Sequence, residues 1–173
     1  GERTNIEKWL KDRRVTEIEC MVPDMSGIAR GKILPTKKFL ESYNNETLRL
    51  PESIFGQTVT GDYIDESAIL SEIEPDIILV PDVSTVRMVP WYDEPTAQVI
   101  CDAVNRDGTK VSIAPRSVLR RILALYEEQG WYPVVAPELD FYLAAKNIDA
   151  DYPLEPPIGA SGRPEKGRQS YGI

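Results

Sequence analysis

From Val15 to Val104 the apolar residues come in short runs, and most runs stop at Pro, Asp or Gly. That punctuation constrains the fold more than anything else in the chain, because such runs are of strand length and the residues between them are turn formers. Val15 to Val22 alternates and predicts a strand. Pro23-Asp24-Met25-Ser26-Gly27 predicts a turn, and Ile28 to Leu34 returns as the second arm of a hairpin. Pro35 ends that arm, and Thr36 to Tyr43 reads as a short helix carrying Lys37 and Lys38. Residues 44–52 read as loop, Ile54 to Thr60 as a further strand, and Gly61 to Glu72 as an acidic loop. Asp76 to Val80 predicts a buried strand stopped by Pro81-Asp82. Thr85 to Val89 predicts another, stopped by Pro90-Trp91. Ala97 to Val104 is the last, before the turn Asn105-Arg106-Asp107-Gly108. Ahead of them all, residues 4–13 make a short amphipathic helix. Thr4 or Asn5 caps it, and Ile6, Trp9 and Leu10 form its apolar stripe.

The text changes near residue 110. Pro115 opens the strongest helix signal, with Val118, Leu119, Ile122, Leu123, Leu125 and Tyr126 on one face and Gly130 as its C-terminal cap. Trp131 leads into Val134-Val135-Ala136-Pro137-Glu138-Leu139-Asp140-Phe141-Tyr142-Leu143, which reads as a strand. Positions two apart on a strand share a face, so Glu138 and Asp140 would point one way, roughly 7 Å apart. Val135, Leu139, Phe141 and Leu143 would point into a core. Two such carboxylates fit an ordinary half-exposed strand, and they equally fit ligands to a hard divalent cation. From Asn147 onward the residues are Asp, Pro, Gly and Ser without periodicity, a loop pattern. The expectation is α+β: a mixed unit over residues 1–110, then the incomplete beginning of a second domain over residues 111–173, too small to close its own core.

Charge and composition exclude some functions. The net charge of −8 is the wrong sign for a nucleic-acid binder. No apolar run reaches membrane-helix length, and the opening Gly1-Glu2-Arg3-Thr4 is not a signal peptide, so a cytoplasmic protein is expected. Cys20 and Cys101 sit in separate strand-like runs and read as buried free thiols rather than a disulfide. The sequence holds no histidine, which removes imidazole chemistry and imidazole metal ligands from this chain.

Five segments, in order, resemble the glutamine synthetase family, in its branch acting on amines other than ammonia. They are Asp24-Met25-Ser26-Gly27-Ile28-Ala29-Arg30-Gly31-Lys32; Leu50-Pro51-Glu52-Ser53-Ile54-Phe55 followed by Thr60-Gly61; and Asp76-Ile77-Ile78-Leu79-Val80-Pro81-Asp82. The fourth is Cys101-Asp102 with Asp107-Gly108 and the helix start Pro115-Arg116-Ser117, and the fifth is Pro137-Glu138-Leu139-Asp140-Phe141-Tyr142-Leu143. The resemblance implies an N-terminal β-grasp domain followed by the start of a glutamine synthetase-type catalytic α/β domain.

It implies a ligase that phosphorylates the γ-carboxylate of glutamate with ATP, assisted by Mg2+ or Mn2+, and lets an amine displace the phosphate. Glu138 would match the ligand of the ion near the nucleotide phosphates, and Asp140 that of the ion near glutamate. Asp140 departs from the family, which has glutamate there. An aspartate of the ammonium site would align with Thr58 on one count and with Asp62 on another. With Thr58 there, a bulkier amine fits better, and Asp62, Asp65 and Glu66 would attract a polyamine, unless they are simply a solvated acidic loop. Arg30, Lys32 and Arg87 read as surface charges rather than anion ligands, and Trp91 as a packing residue. The resemblance further implies a homo-oligomer of two stacked hexameric rings with sites shared between subunits, so this chain by itself would be inactive. An ordinary ammonia-using glutamine synthetase, and a non-catalytic structural or assembly module, are the competing readings.

Overall fold

A computed structural model describes residues 2–63, 75–149 and 151–165. Asp65 and Glu66 lie outside the described residues. The chain divides into two compact units, Gly1–Pro133 and Val134–Ile173.

The first unit is α+β. Its elements are α1 (Glu2–Asp12), β1 (Glu17–Pro23), β2 (Ala29–Pro35), α2 (Thr36–Asn45), β3 (Arg49–Pro51), a 3-10 turn (Glu52–Gly56), β4 (Asp76–Val89), β5 (Thr96–Val104) and α3 (Pro115–Glu128). The strands form one sheet in the order β2-β1-β5-β4-β3. β1 and β5 run parallel; the other neighbours are antiparallel. One face carries Ile18, Cys20, Val22, Ile77, Leu79, Val99 and Cys101, packed with Ile6 and Leu10 of α1 and Phe39 of α2. Alternation places these residues inward and leaves Glu17, Glu19 and Met21 of β1 on the opposite face.

The β1–β2 hairpin forms where its turn chemistry predicts. Asp24 is buried, and its Oδ1 accepts the backbone N–H groups of Ser26 (2.9 Å) and Ile28 (2.8 Å). Gly27 supplies the left-handed residue of that turn, at φ +80°. Cys20 and Cys101 are free and fully buried. The Cys101 thiol is pushed far above its ordinary range by its hydrogen bond with Cys20 and by burial.

Three sequence expectations are corrected. Asp76–Val80 and Thr85–Val89 are not two strands but one, β4, of 14 residues with a register shift between Asp82 and Arg87. The Leu79 N–H donates to Leu48 O on the β3 side, and residues two apart point alike, so Pro81 directs its missing donor to the same side. The β3–β4 pairs end at Ile78, so the proline deletes no ladder bond. Ile54 to Thr60 is not a strand: Ser53, Ile54, Phe55 and Gly56 are all buried within the 3-10 turn, and the strand lies at Arg49–Pro51. Trp91 is 68% exposed and packs into no core.

The fourth correction concerns Val134–Leu143. The segment is not a strand, and Val135, Leu139, Phe141 and Leu143 are exposed rather than buried. Alternation marks a segment that can enter a sheet, but a strand also needs a partner ladder, and the described residues supply none here. The second unit is otherwise irregular. Ala145 N–H reaches Glu155 O (2.8 Å), and Ile158 bridges Pro164 across a small turn.

Candidate functional site

The two aligned possibilities for the amine site, Thr58 and Asp62, are neighbours in space. They close a tight loop in which Gln57 bridges Tyr63. Thr58 N–H donates to Asp62 O (2.8 Å), and Asp62 N–H donates to Thr58 Oγ1 (3.1 Å). Thr60 Oγ1 donates to Asp62 Oδ2 (2.8 Å) and lies 2.9 Å from Thr58 Oγ1. Gly61, at φ +88°, lets the loop turn back so tightly. Thr58 is half-buried and Asp62 exposed. The loop therefore presents a carboxylate backed by two hydroxyls, which can accept N–H groups from an ammonium.

Sequence reasoning missed how this loop is held. The buried Asp24 takes Arg30 Nε on its Oδ2 (2.8 Å). The same guanidinium extends Nη2 to Thr58 O (3.2 Å), and Ser26 Oγ donates to Gln57 O (3.2 Å). Arg30 is thus neither an anion ligand nor a plain surface charge; it ties the hairpin turn to the loop. The signal was present in the spacing Asp24 to Arg30 across a Gly-containing turn. Arg87 is likewise engaged, donating to Gln98 Oε1, whose Nε2 donates to Glu19 Oε2 (2.7 Å).

A second charged group joins residues from two of the resembling segments, Asp82 from the third and Asp102 and Arg116 from the fourth, with Arg120 one turn on. Arg116 Nε donates to Asp102 Oδ1 (2.7 Å) and its Nη2 to Asp82 Oδ2 (2.6 Å). Arg120 Nη2 donates to Asp102 Oδ2 (2.9 Å) and stands 3.8 Å from Asp82 Oδ2. Ser84 binds Asp82 Oδ1 through its hydroxyl (2.6 Å) and its N–H (3.2 Å). The Ser84 hydroxyl, then its N–H and Arg116, hold the Asp82 carboxyl below its ordinary value, although partial burial opposes this. Arg116 is raised above its ordinary value: burial acts against it, but the two aspartates prevail.

Glu138 and Asp140 lie in the second unit, two residues apart on an exposed segment. Both offer hard oxygen donors of the kind Mg2+ and Mn2+ take. They fit such an ion as part of a shell: among the described residues no three acidic, thiol or imidazole groups gather where an ion would sit.

Comparison with known proteins gives these features a frame. Residues 112–173 match the family model described as glutamine synthetase, catalytic domain. The gamma-glutamylputrescine synthetase PuuA of Escherichia coli (strain K12) is 30% identical over 88% of this chain and 32% of its own length. The glutamate–isopropylamine ligase of a Pseudomonas species is 30% identical over 83% of this chain and 31% of its own length. The chain thus spans about a third of the length of these curated relatives. A solved structure of a GmaS/ADP complex superposes with a TM-score of 0.54 at 18% identity, over 70% of this chain and 25% of that one, a likeness of fold. The chain belongs to the glutamine synthetase family.

Proposed function

We propose that this chain is the N-terminal part of an ATP-dependent ligase that joins the γ-carboxylate of glutamate to an amine through a γ-glutamyl phosphate. The observation that carries the reading is the match over nearly the whole chain to two relatives whose names specify glutamate ligation to an amine. Residues 1–110 form the β-grasp domain, and residues 111–173 begin the catalytic domain; the family match from residue 112 supports that boundary. A carboxylate is a poor electrophile, and phosphorylation turns it into one that an amine attacks. Glu138 and Asp140 would hold Mg2+ or Mn2+, which when bound neutralises charge on the transferring phosphoryl group. Asp140 is one methylene shorter than glutamate, so it would ligate directly or through a water. Asp62, with Thr58 and Thr60 behind it, would receive the cationic amine and favour a polyamine or alkylamine over ammonia. The working protein would be cytoplasmic and a homo-oligomer of two stacked hexameric rings. Among the described residues, no helix is long and apolar enough to cross a membrane.

The test is phosphate release by the full-length protein with ATP, glutamate and a panel of ammonia, isopropylamine, putrescine and spermidine. Release should require glutamate and be faster with an organic amine than with ammonia. Glu138→Gln should lower it by about two orders of magnitude or more. Faster release with ammonia would replace the amine reading with the ordinary glutamine synthetase named by the family model. No release with any amine would leave the non-catalytic module standing.

A further inference from the structure

Asp24 is bound at more points than a hairpin turn requires. Its Oδ1 serves the turn, its backbone N–H donates to Ile28 O (2.9 Å), and its carbonyl accepts Gly27 N–H (3.2 Å). The other carboxylate oxygen, Oδ2, holds Arg30 Nε at 2.8 Å, and the Asp24 side chain is fully buried. A carboxylate fixed in the interior at so many points cannot follow its partner, so the guanidinium takes its position from Asp24. The Nη2 group of that guanidinium reaches Thr58 O, 28 residues on, and Ser26 Oγ of the same turn reaches Gln57 O, 31 residues on. One hairpin thus holds two successive carbonyls. They belong to the first two residues after the 3-10 turn, whose Phe55 and Gly56 are buried. Thr58 passes the position on, because its N–H and its Oγ1 are the groups bonded to Asp62. Every bond in this series joins residues of the first unit.

We propose, resting on the amine reading of the Thr58–Asp62 loop, that Asp24 and Arg30 are positioning residues for the amine: they fix where the loop presents its carboxylate and so set how tightly the cation is held. The residue types suit that role. The planar guanidinium donates from Nε and Nη2 in fixed directions, so one side chain spans the Asp24 carboxylate and the Thr58 carbonyl. A lysine ammonium would keep the charge, but it is a single point on a flexible stem and cannot hold the two acceptors in a fixed relation. Asparagine at position 24 would keep an oxygen for the turn and set its NH2 against Arg30 Nε, donor against donor. Neither Asp24 nor Arg30 need touch the amine. A shift of about 1 Å in the placement of a reactant can cost about 100-fold, even when its cause lies away from the chemistry.

Two readouts on the full-length protein keep this role separate from the amine reading. In hydrogen exchange, Arg30→Lys should speed exchange over residues 57–63 about tenfold, while β1 and β5 keep their protection. In steady-state phosphate release, the same variant should raise the KM of the best amine in the panel about tenfold or more, with the KM of ATP within about twofold of its original value. Asp24→Asn should do the same. Ser26→Ala leaves the buried pair intact and should act in the same direction more weakly; it decides the matter if the other variants also unprotect β1 and β5. Exchange over residues 57–63 that ignores these substitutions would overturn the proposal. So would faster exchange with an unchanged amine KM, or an equal rise in KM for amine and ATP, which marks general loosening. Phosphate release by the unchanged protein that is indifferent to every amine would instead sink the amine reading of the loop, and this role with it, whatever the exchange shows.

Discussion

Gly31 sits at the tightest point of the β1–β2 hairpin. A Cβ there would stand 1.9 Å from the carbonyl oxygen of Cys20 and 3.2 Å from Cα of Met21. Both are backbone atoms, so no rotamer change relieves the clash, and the two strands must separate. Gly108 makes the contrast: it needs a left-handed backbone, φ +84°, but open space surrounds its missing side chain. Gly31→Ala should therefore cost about 3 kcal/mol or more, an overpacking effect, and Gly108→Ala about 1 kcal/mol, a conformational one. Denaturant unfolding of the two variants of the full-length protein gives the comparison. Equal losses, or a larger loss at Gly108, would refute the assignment of Gly31 to steric closeness. The same hairpin carries Asp24 and Arg30, whose pairing continues to the Thr58 carbonyl, so one short motif serves both a turn and a candidate amine loop.

At the scale of elements, what could be read in advance was whatever local chemistry decides. The hairpin, α2, and the proline start and glycine stop of α3 depend on residues close in sequence. Trp131 and Gly130 N–H groups close the last turn of α3 onto Tyr126 O (2.9 Å) and Glu127 O (2.9 Å), as a C-terminal glycine allows. β4 was not legible as one strand, because Pro81 is tolerated only on account of where β3 ends, a fact of the sheet and not of the segment. The loop of Thr58 and Asp62 was legible as two competing positions; that they are partners depends on the turn at Gly61. The joint between β4 and α3 yields a pH prediction. Asp82 faces Arg116, Arg120, Asp102 and Ser84, and its carboxyl is held below the ordinary 3.8, first by the Ser84 hydroxyl. A depressed carboxyl stabilises the folded state above its unfolded value and loses that contribution as pH falls through its folded value. Denaturant midpoints taken from about pH 5 down to about pH 3 should fall less steeply for Asp82→Asn than for the unchanged protein. Identical slopes would show that this carboxylate gains nothing from its partners.

Across the whole molecule, the apolar surface is distributed unevenly. β1, β4 and β5 bury one face almost completely, whereas α3 exposes Leu119 (57%), Ile122 (46%), Leu123 (41%) and Tyr126 (41%) along a single helical stripe. Val134, Leu139 and Phe141 are exposed as well, which is why the carboxylate segment could not be placed from alternation alone: its pattern anticipates neighbours that the described residues do not provide. Contiguous apolar surface of this kind promotes association. The 173-residue chain expressed by itself should bind a hydrophobic dye and sediment as species heavier than a monomer. Leu119→Glu combined with Leu123→Lys places an oppositely charged pair four residues apart in the orientation that supports a helix, so it removes the stripe without removing α3. That double variant should lower both dye binding and sedimentation rate, with helix content by circular dichroism unchanged. A chain that is monomeric and dye-free from the outset would show that the stripe is covered from within. An unaltered association in the double variant would move the sticky surface to Val134–Leu143, where Phe141→Glu should then abolish it.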